Sequence, residues 1–143
     1  MFGNMKRLLP VAAVALMLAA ATASSARAPA GPPKLKIQSA TAIEGQASRM
    51  VFRITLSKHA PRAVTGRYYT QDASAKAGSD YVAASGRFKI PKGGSRTRIV
   101  VKIVDDEVPE PDEHFFLIVN GVKNASVAHS FAQANIVDDD VAP

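Results

Sequence analysis

Two stretches of this chain alternate apolar and polar side chains with a period of two, and that alternation limits the fold more than any other feature. In 49–56, Met50, Phe52, Ile54 and Leu56 fall on one side, with Arg49, Arg53 and Thr55 on the other. In 98–104, Ile99, Val101 and Ile103 face one way, and Arg98 and Lys102 the other. Such a pattern marks a strand with one buried face. Shorter versions occupy 64–70 and 86–90. The nearly continuous apolar run 114–119 suits a central strand, 132–137 closes the series, and 34–43 supplies the first strand with a kink near Ser39. Breakers separate the runs: Pro61, Ala77-Gly78-Ser79, Pro91 with Gly93-Gly94, Pro109 and Pro111, and Asn120-Gly121. Beyond Lys34 no helical period is sustained and no repeat is visible. The spacing predicts one all-β domain over 34–141, a Greek-key β-sandwich of about seven antiparallel strands. At least one of Tyr68 and Tyr69 is expected in its core.

The segment before it reads differently. Lys6 and Arg7 precede an apolar run of 14 residues, 8–21, broken only by Pro10, and Ala21-Thr22-Ala23 offers small residues at cleavage spacing. This predicts a secretory signal peptide over 1–23, cut after Ala23 or, as second choice, Ala26. The run is too short for the roughly 20 residues of a spanning helix, so no transmembrane segment is expected after cleavage. Residues 24–33, rich in Ala, Pro and Ser, read as a disordered lead-in. The expected location is therefore secreted, periplasmic or cell-surface. The chain has no cysteine. It has no disulfide, thiol nucleophile or soft-metal site to offer.

A net charge of +6 suggests nucleic acid or membrane at first sight. The charge is segregated, however. Residues 24–102 hold 15 Lys and Arg against Glu44, Asp72 and Asp80, whereas 103–143 hold one Lys against nine acids. A basic body with an acidic pole is not a uniformly basic protein, and no nucleic-acid partner is expected.

Those nine acids form two patches. Asp105, Asp106, Glu107, Glu110, Asp112 and Glu113 follow the strand ending near Val104, and Asp138-Asp139-Asp140 follow the last strand. In a Greek-key sandwich the fifth and seventh strands can end at one pole. Carboxylates gathered there cannot all stay ionised without compensation. A hard divalent cation supplies it. Ca2+ takes six to eight oxygens at roughly 2.3–2.6 Å and tolerates irregular geometry. Nine carboxylates exceed one such shell, so more than one ion is expected. Pro109 and Pro111 restrict the loop between the strands, which lowers the entropy lost when it is ordered.

The sequence resembles the Calx-beta family, a module of sodium/calcium exchangers, integrin β4 and bacterial surface proteins. The resemblance rests on Ala42-Ile43-Glu44-Gly45, on 52–57, on the stretch 69–81 that ends in Ala77-Gly78-Ser79-Asp80-Tyr81, on Ile103-Val104-Asp105-Asp106-Glu107, on Glu110-Pro111-Asp112-Glu113-His114-Phe115, and on Ile136-Val137-Asp138-Asp139-Asp140. It implies an immunoglobulin/fibronectin-like sandwich that binds calcium without catalysis. It also implies the ligands: Glu44, Asp80, Asp105, Asp106, the backbone carbonyl of Val108, Glu110, Glu113, Asp138, Asp139 and Asp140. Glu107 and Pro109 depart from the usual family pattern without removing a carboxylate.

Other motifs carry less. No EF-hand pattern is present. Asn124-Ala125-Ser126 fits a glycosylation sequon of a kind common by chance. His59, His114 and His129 read as surface residues, and no hydrolytic triad is legible. Gly93-Gly94-Ser95 reads as a hairpin turn. Arg87, Lys89, Arg96, Arg98 and Lys102 are expected to form a positive stripe on one sheet. That stripe is the alternative functional surface, an adhesion or matrix face for an anionic polysaccharide, a cell-surface protein or a membrane.

Overall fold

The computed structural model describes residues 31–141; the expected signal peptide and residues 24–30 of the lead-in lie outside the described residues. Nine strands form: β1 (Lys34–Ile37), β2 (Ala40–Ile43), β3 (Arg49–Leu56), β4 (Val64–Asp72), β5 (Ser85–Ile90), β6 (Arg96–Lys102), β7 (Glu113–Lys123), β8 (Ser126–Val127) and β9 (Phe131–Val137). They make two sheets, ordered β6-β3-β1-β8 and β2-β9-β7-β4-β5. The chain changes sheet at every connection except β4 to β5, as the crossovers of a Greek-key sandwich require. No described helix is long and apolar enough to cross a membrane.

The count and the pairing differ from expectation for local reasons. The kink near Ser39 is a change of sheet: β1 pairs with β3 in one sheet, and β2 pairs with β9 in the other. One expected strand therefore becomes two. The β2–β9 pair is parallel, as is the two-residue β8 against β1, so the sandwich is not wholly antiparallel. Asn120-Gly121 is not a turn. β7 runs through it as a bulge, with Gly121 at φ 59 and a register skip opposite Thr65 and Arg67. Glycine takes that left-handed conformation without a Cβ clash. Pro33, at the edge of the expected lead-in, is buried, and its carbonyl accepts the N–H of Ser126 at 2.9 Å.

The core lies between the sheets, built from alternate positions. Leu35, Phe52, Ile54 and Val101 point in from one sheet, and Val64, Ile90, Phe115, Leu117 and Ala134 from the other. Phe52 meets Phe115 edge to face at 6.2 Å between centroids. Of the two expected tyrosines, Tyr68 is half-buried and packs against the core and Tyr69 is 38% exposed, whereas the fully buried tyrosine is Tyr81, 1% exposed. Tyr81 sits outside any strand, where periodicity says nothing about burial.

Strand direction then assembles one pole. β2 and β9 run parallel and end together, Ile43 opposite Val137. β7 begins there, Glu113 opposite Ile136, and β4 ends there, Asp72 opposite Phe115. β6 leads into the same region, because the N–H of Val104 donates to the Asp80 carbonyl at 3.0 Å.

The expected basic stripe divides. Arg87 and Lys89 lie on β5 in the five-stranded sheet, and Arg96, Arg98 and Lys102 on β6 in the four-stranded one. β5 and β6 are consecutive edge strands, but the connection between them changes sheet.

Candidate metal centre

The loop after β4 is fixed first. At the strand end, the Asp72 carboxylate accepts the N–H of Ala77 at 2.9 Å and the O–H of Tyr81. These two bonds, the tyrosine's first, hold the Asp72 carboxyl below its usual range. Burial, then the bond to Asp72, pushes the Tyr81 hydroxyl up to about 12, so it stays a donor. The Tyr81 ring stacks on Phe115 at 3.9 Å with 9° between planes. Gly78, at φ +100, makes the turn that brings Tyr81 back toward Ala77. Asp80 is delivered to the pole by this scaffold, its carboxylate accepting the Lys76 N–H at 2.6 Å.

Asp80 meets two glutamates. Carboxylate oxygens of Asp80, Glu110 and Glu113 lie within 4.8 Å of one another. Burial, then the charge of Asp80 and a hydrogen bond shared with it, pushes the Glu113 carboxyl up to about 7. Burial also raises Glu110, with Asp80, Asp106 and Asp138 adding repulsion. The Glu110 N–H donates to Asp138 Oδ2 at 3.0 Å, joining the loop before β7 to the segment after β9.

A second group adjoins the first. Glu44 follows β2, and its N–H donates to the Val137 carbonyl at 2.8 Å. It is the buried charged residue among those described, 7% exposed. Burial first, then repulsion from Asp106 and Asp138, pushes its carboxyl up to about 7. Gly45, at φ +69, brings the backbone so close to Asp139 that a Cβ would stand 2.9 Å from its carboxylate oxygens. Asp140 Oδ2 is buried without a hydrogen-bond partner. Burial, then Asp138 and Asp139, raises that carboxyl as well. Asp106 and Asp138 act on both Glu44 and Glu110, so they stand between the two groups.

The sequence-derived residues therefore gather at one pole. Glu44, Asp105, Asp106, Asp138, Asp139 and Asp140 form one group, and Asp80, Glu110 and Glu113 the other. Val108 lies in the connecting loop, 57% exposed, with its N–H held at 2.8 Å by Asp106 Oδ1. Glu107 and Asp112 are exposed. Sequence reasoning missed Asp72, Tyr81 and Gly45, which carry no ligand role but fix Asp80 and Asp139. His114 bonds to Ser74, its Nδ1 3.0 Å from the hydroxyl oxygen.

The donor set is oxygen alone, which suits hard cations and excludes soft ones. An unpartnered buried carboxylate oxygen and two glutamates raised to about 7 are the signature of a group short of positive charge. The residues fit a divalent cation. The Calx-beta domain model matches residues 32–140. The chain belongs to the Calx-beta family.

Curated relatives of this Calx-beta chain include sodium/calcium exchanger 2 of Rattus norvegicus, 44% identical over 50 residues, which is 35% of this chain and 5% of the exchanger. The sodium/calcium exchanger Calx of Drosophila melanogaster is 38% identical over 77 residues, 51% of this chain and 8% of that one. The chain thus spans less than a tenth of these relatives. Among solved structures, the apo-form Calx CBD1 domain superposes with a TM-score of 0.68 at 25% identity, covering 77% of this chain and 100% of that domain. The calcium binding domain CBD12 of CALX1.1 gives 0.69 at 25% identity, covering 76% and 47%.

Asp140→Asn removes a charge from a crowded, metal-free pole while keeping the side chain's shape. In chelator the variant is expected to melt higher than the parent, and in calcium to gain less. A scan showing the variant less stable under both conditions would count against a charge-limited site.

Proposed function

We propose that this Calx-beta domain is an exported, non-catalytic module that holds two or more Ca2+ ions at its acidic pole. The observation that carries the reading is the convergence of Asp80, Glu110 and Glu113 oxygens within 4.8 Å beside the partnerless buried oxygen of Asp140. The two adjoining groups supply the reason for more than one ion. Asp80, Glu110 and Glu113 would serve one position, and Glu44, Asp105, Asp139 and Asp140 another. Asp106 and Asp138 would be shared, and the Val108 carbonyl would complete a shell. A bound ion supplies positive charge and nothing else. The chain's own residues do the rest: they crowd oxygens together, bury part of them and hold the loops by backbone bonds. The similarity to the calcium binding domain CBD12 of CALX1.1 supports the same reading. Export is supported by the basic, apolar and small-residue order of residues 6–23.

Titration calorimetry tests the binding. Calcium is expected to bind at a stoichiometry of at least two. Magnesium is expected to bind at least tenfold more weakly, because it demands near-ideal octahedral geometry and sheds water reluctantly. A stoichiometry of one, or no heat at all, would refute the multi-ion reading. For export, the protein recovered from outside the cytoplasm should have the mass of a chain beginning at Ser24 or Arg27; an uncut chain retained in the cytoplasm would refute it.

A further inference from the structure

The outer face of the four-stranded sheet is cationic in a way the calcium reading does not use. Exposed positions on β3 are Arg49, Val51 and Arg53, with half-buried Thr55. Exposed positions on β6 are Arg96, Arg98, Val100 and Lys102, and on β1 Lys34 and Lys36. Seven of these are basic and none is acidic. The register sets like charges directly opposite one another: Arg49 faces Lys102, and Arg53 faces Arg98. Opposed like charges on neighbouring strands destabilise a sheet. Next along the face, Arg96 and Lys36 flank Thr55 from either side. The cations therefore descend the sheet from Lys102 to Lys34, over about 27 Å at the usual strand rise, with one row of valines, Val51 opposite Val100, between the two opposed pairs. A surface cleft lined by Gln38, Arg53, Thr55, Arg96, Thr97 and Arg98 lies in the middle of this track.

We propose that this face binds an extended anionic polysaccharide, with sulfate or carboxylate groups seated against the opposed cation pairs. Each pair gains an anion that relieves its repulsion, and guanidinium groups take sulfate and carboxylate in paired hydrogen bonds. Gln38 and Thr55 stand beside the arginines as neutral partners for sugar hydroxyls. The face has no aromatic residue, so it lacks the stacking platforms of single-stranded nucleic-acid binders. Its apolar side chains are two valines, Val51 and Val100, 43% and 42% exposed. They are too short to anchor a face in a lipid interface, which calls on Trp, Phe and Leu.

The test is retention of the purified protein on immobilised dextran sulfate, with chelator throughout so that the acidic pole plays no part. Arg53→Glu is the informative variant. It breaks the track, yet places an acid opposite Arg98, so thermal stability should hold or rise while retention drops at least tenfold. Arg62→Glu with Lys92→Glu removes charge from exposed loops instead, and should retain the protein as the parent does. Equal loss from both variants would mean that net charge alone drives binding, and would overturn the proposal. Tighter binding to a single-stranded oligonucleotide, or to phosphatidylserine vesicles, than to dextran sulfate would overturn it too.

Discussion

In saturating calcium the protein is expected to melt at least about 10 °C above its midpoint in chelator. A ligand at 100 times its dissociation constant adds about 2.7 kcal/mol for each independent site that exists only in the fold. For a domain of this size each kcal/mol moves the midpoint by about 4 °C or more. Two sites would double the shift. The pH dependence carries a sign that identifies the cause. Folding raises Glu44 and Glu113 from the ordinary 4.5 to about 7. Protons therefore bind the metal-free fold more tightly than the unfolded chain. Their stabilisation is complete below about 4.5 and is lost as pH rises through about 7. In chelator, the midpoint should fall between pH 5 and pH 8. In calcium the order should reverse, because protons then compete with the ion for the same oxygens. Differential scanning at three pH values, with and without calcium, reads both. Identical midpoints in calcium and chelator across that range would refute an ion-binding pole.

How far the pole could be read in advance depends on which physical signal each residue carries. Asp105, Asp106 and Asp138 to Asp140 were visible because each patch ends a strand with clear alternation, and alternating strands fix direction. Glu44 and Asp80 carry no such signal. A single acid after a short strand looks like any turn, and only the family resemblance singled them out. The extra strands were hidden for a different reason. β1 and β2 read as one run because a change of sheet leaves the apolar spacing nearly intact, with just the kink at Ser39 to show it. β8 is two residues long and exposed, below the length at which any period exists. The basic stripe failed at the same level. Periodicity says which side chains share a face of one strand. It does not say that β5 and β6, neighbours in sequence, belong to different sheets. The cations that do share a face, Arg49 and Arg53 with Arg98 and Lys102, come from strands more than 40 residues apart.

Tyr81→Ala should be the most damaging single change near the site, costing about 3–5 kcal/mol as large aromatic truncations in a core do. The ring is almost fully buried and lies flat on Phe115, so its removal leaves a cavity beneath the loop that carries Asp80. Calcium affinity should fall with stability, since Asp80 then keeps its two bonds to the Lys76 backbone and the Val104 N–H on its carbonyl but loses the packed ring that anchors its loop. That variant cannot separate packing from positioning. Tyr81→Phe can, because it keeps the stack and removes just the hydroxyl that Asp72 accepts. Asp72→Asn weakens the same bond from the other side. If the pair acts as one strut that sets the 73–81 loop, each should lower calcium affinity several-fold. The double variant should be no worse than either, because residues in one hydrogen-bonded unit are not additive. Titration of the three proteins decides it. Losses that add would mean Asp72 and Tyr81 influence the pole separately, and the strut would have no standing as the device that places Asp80.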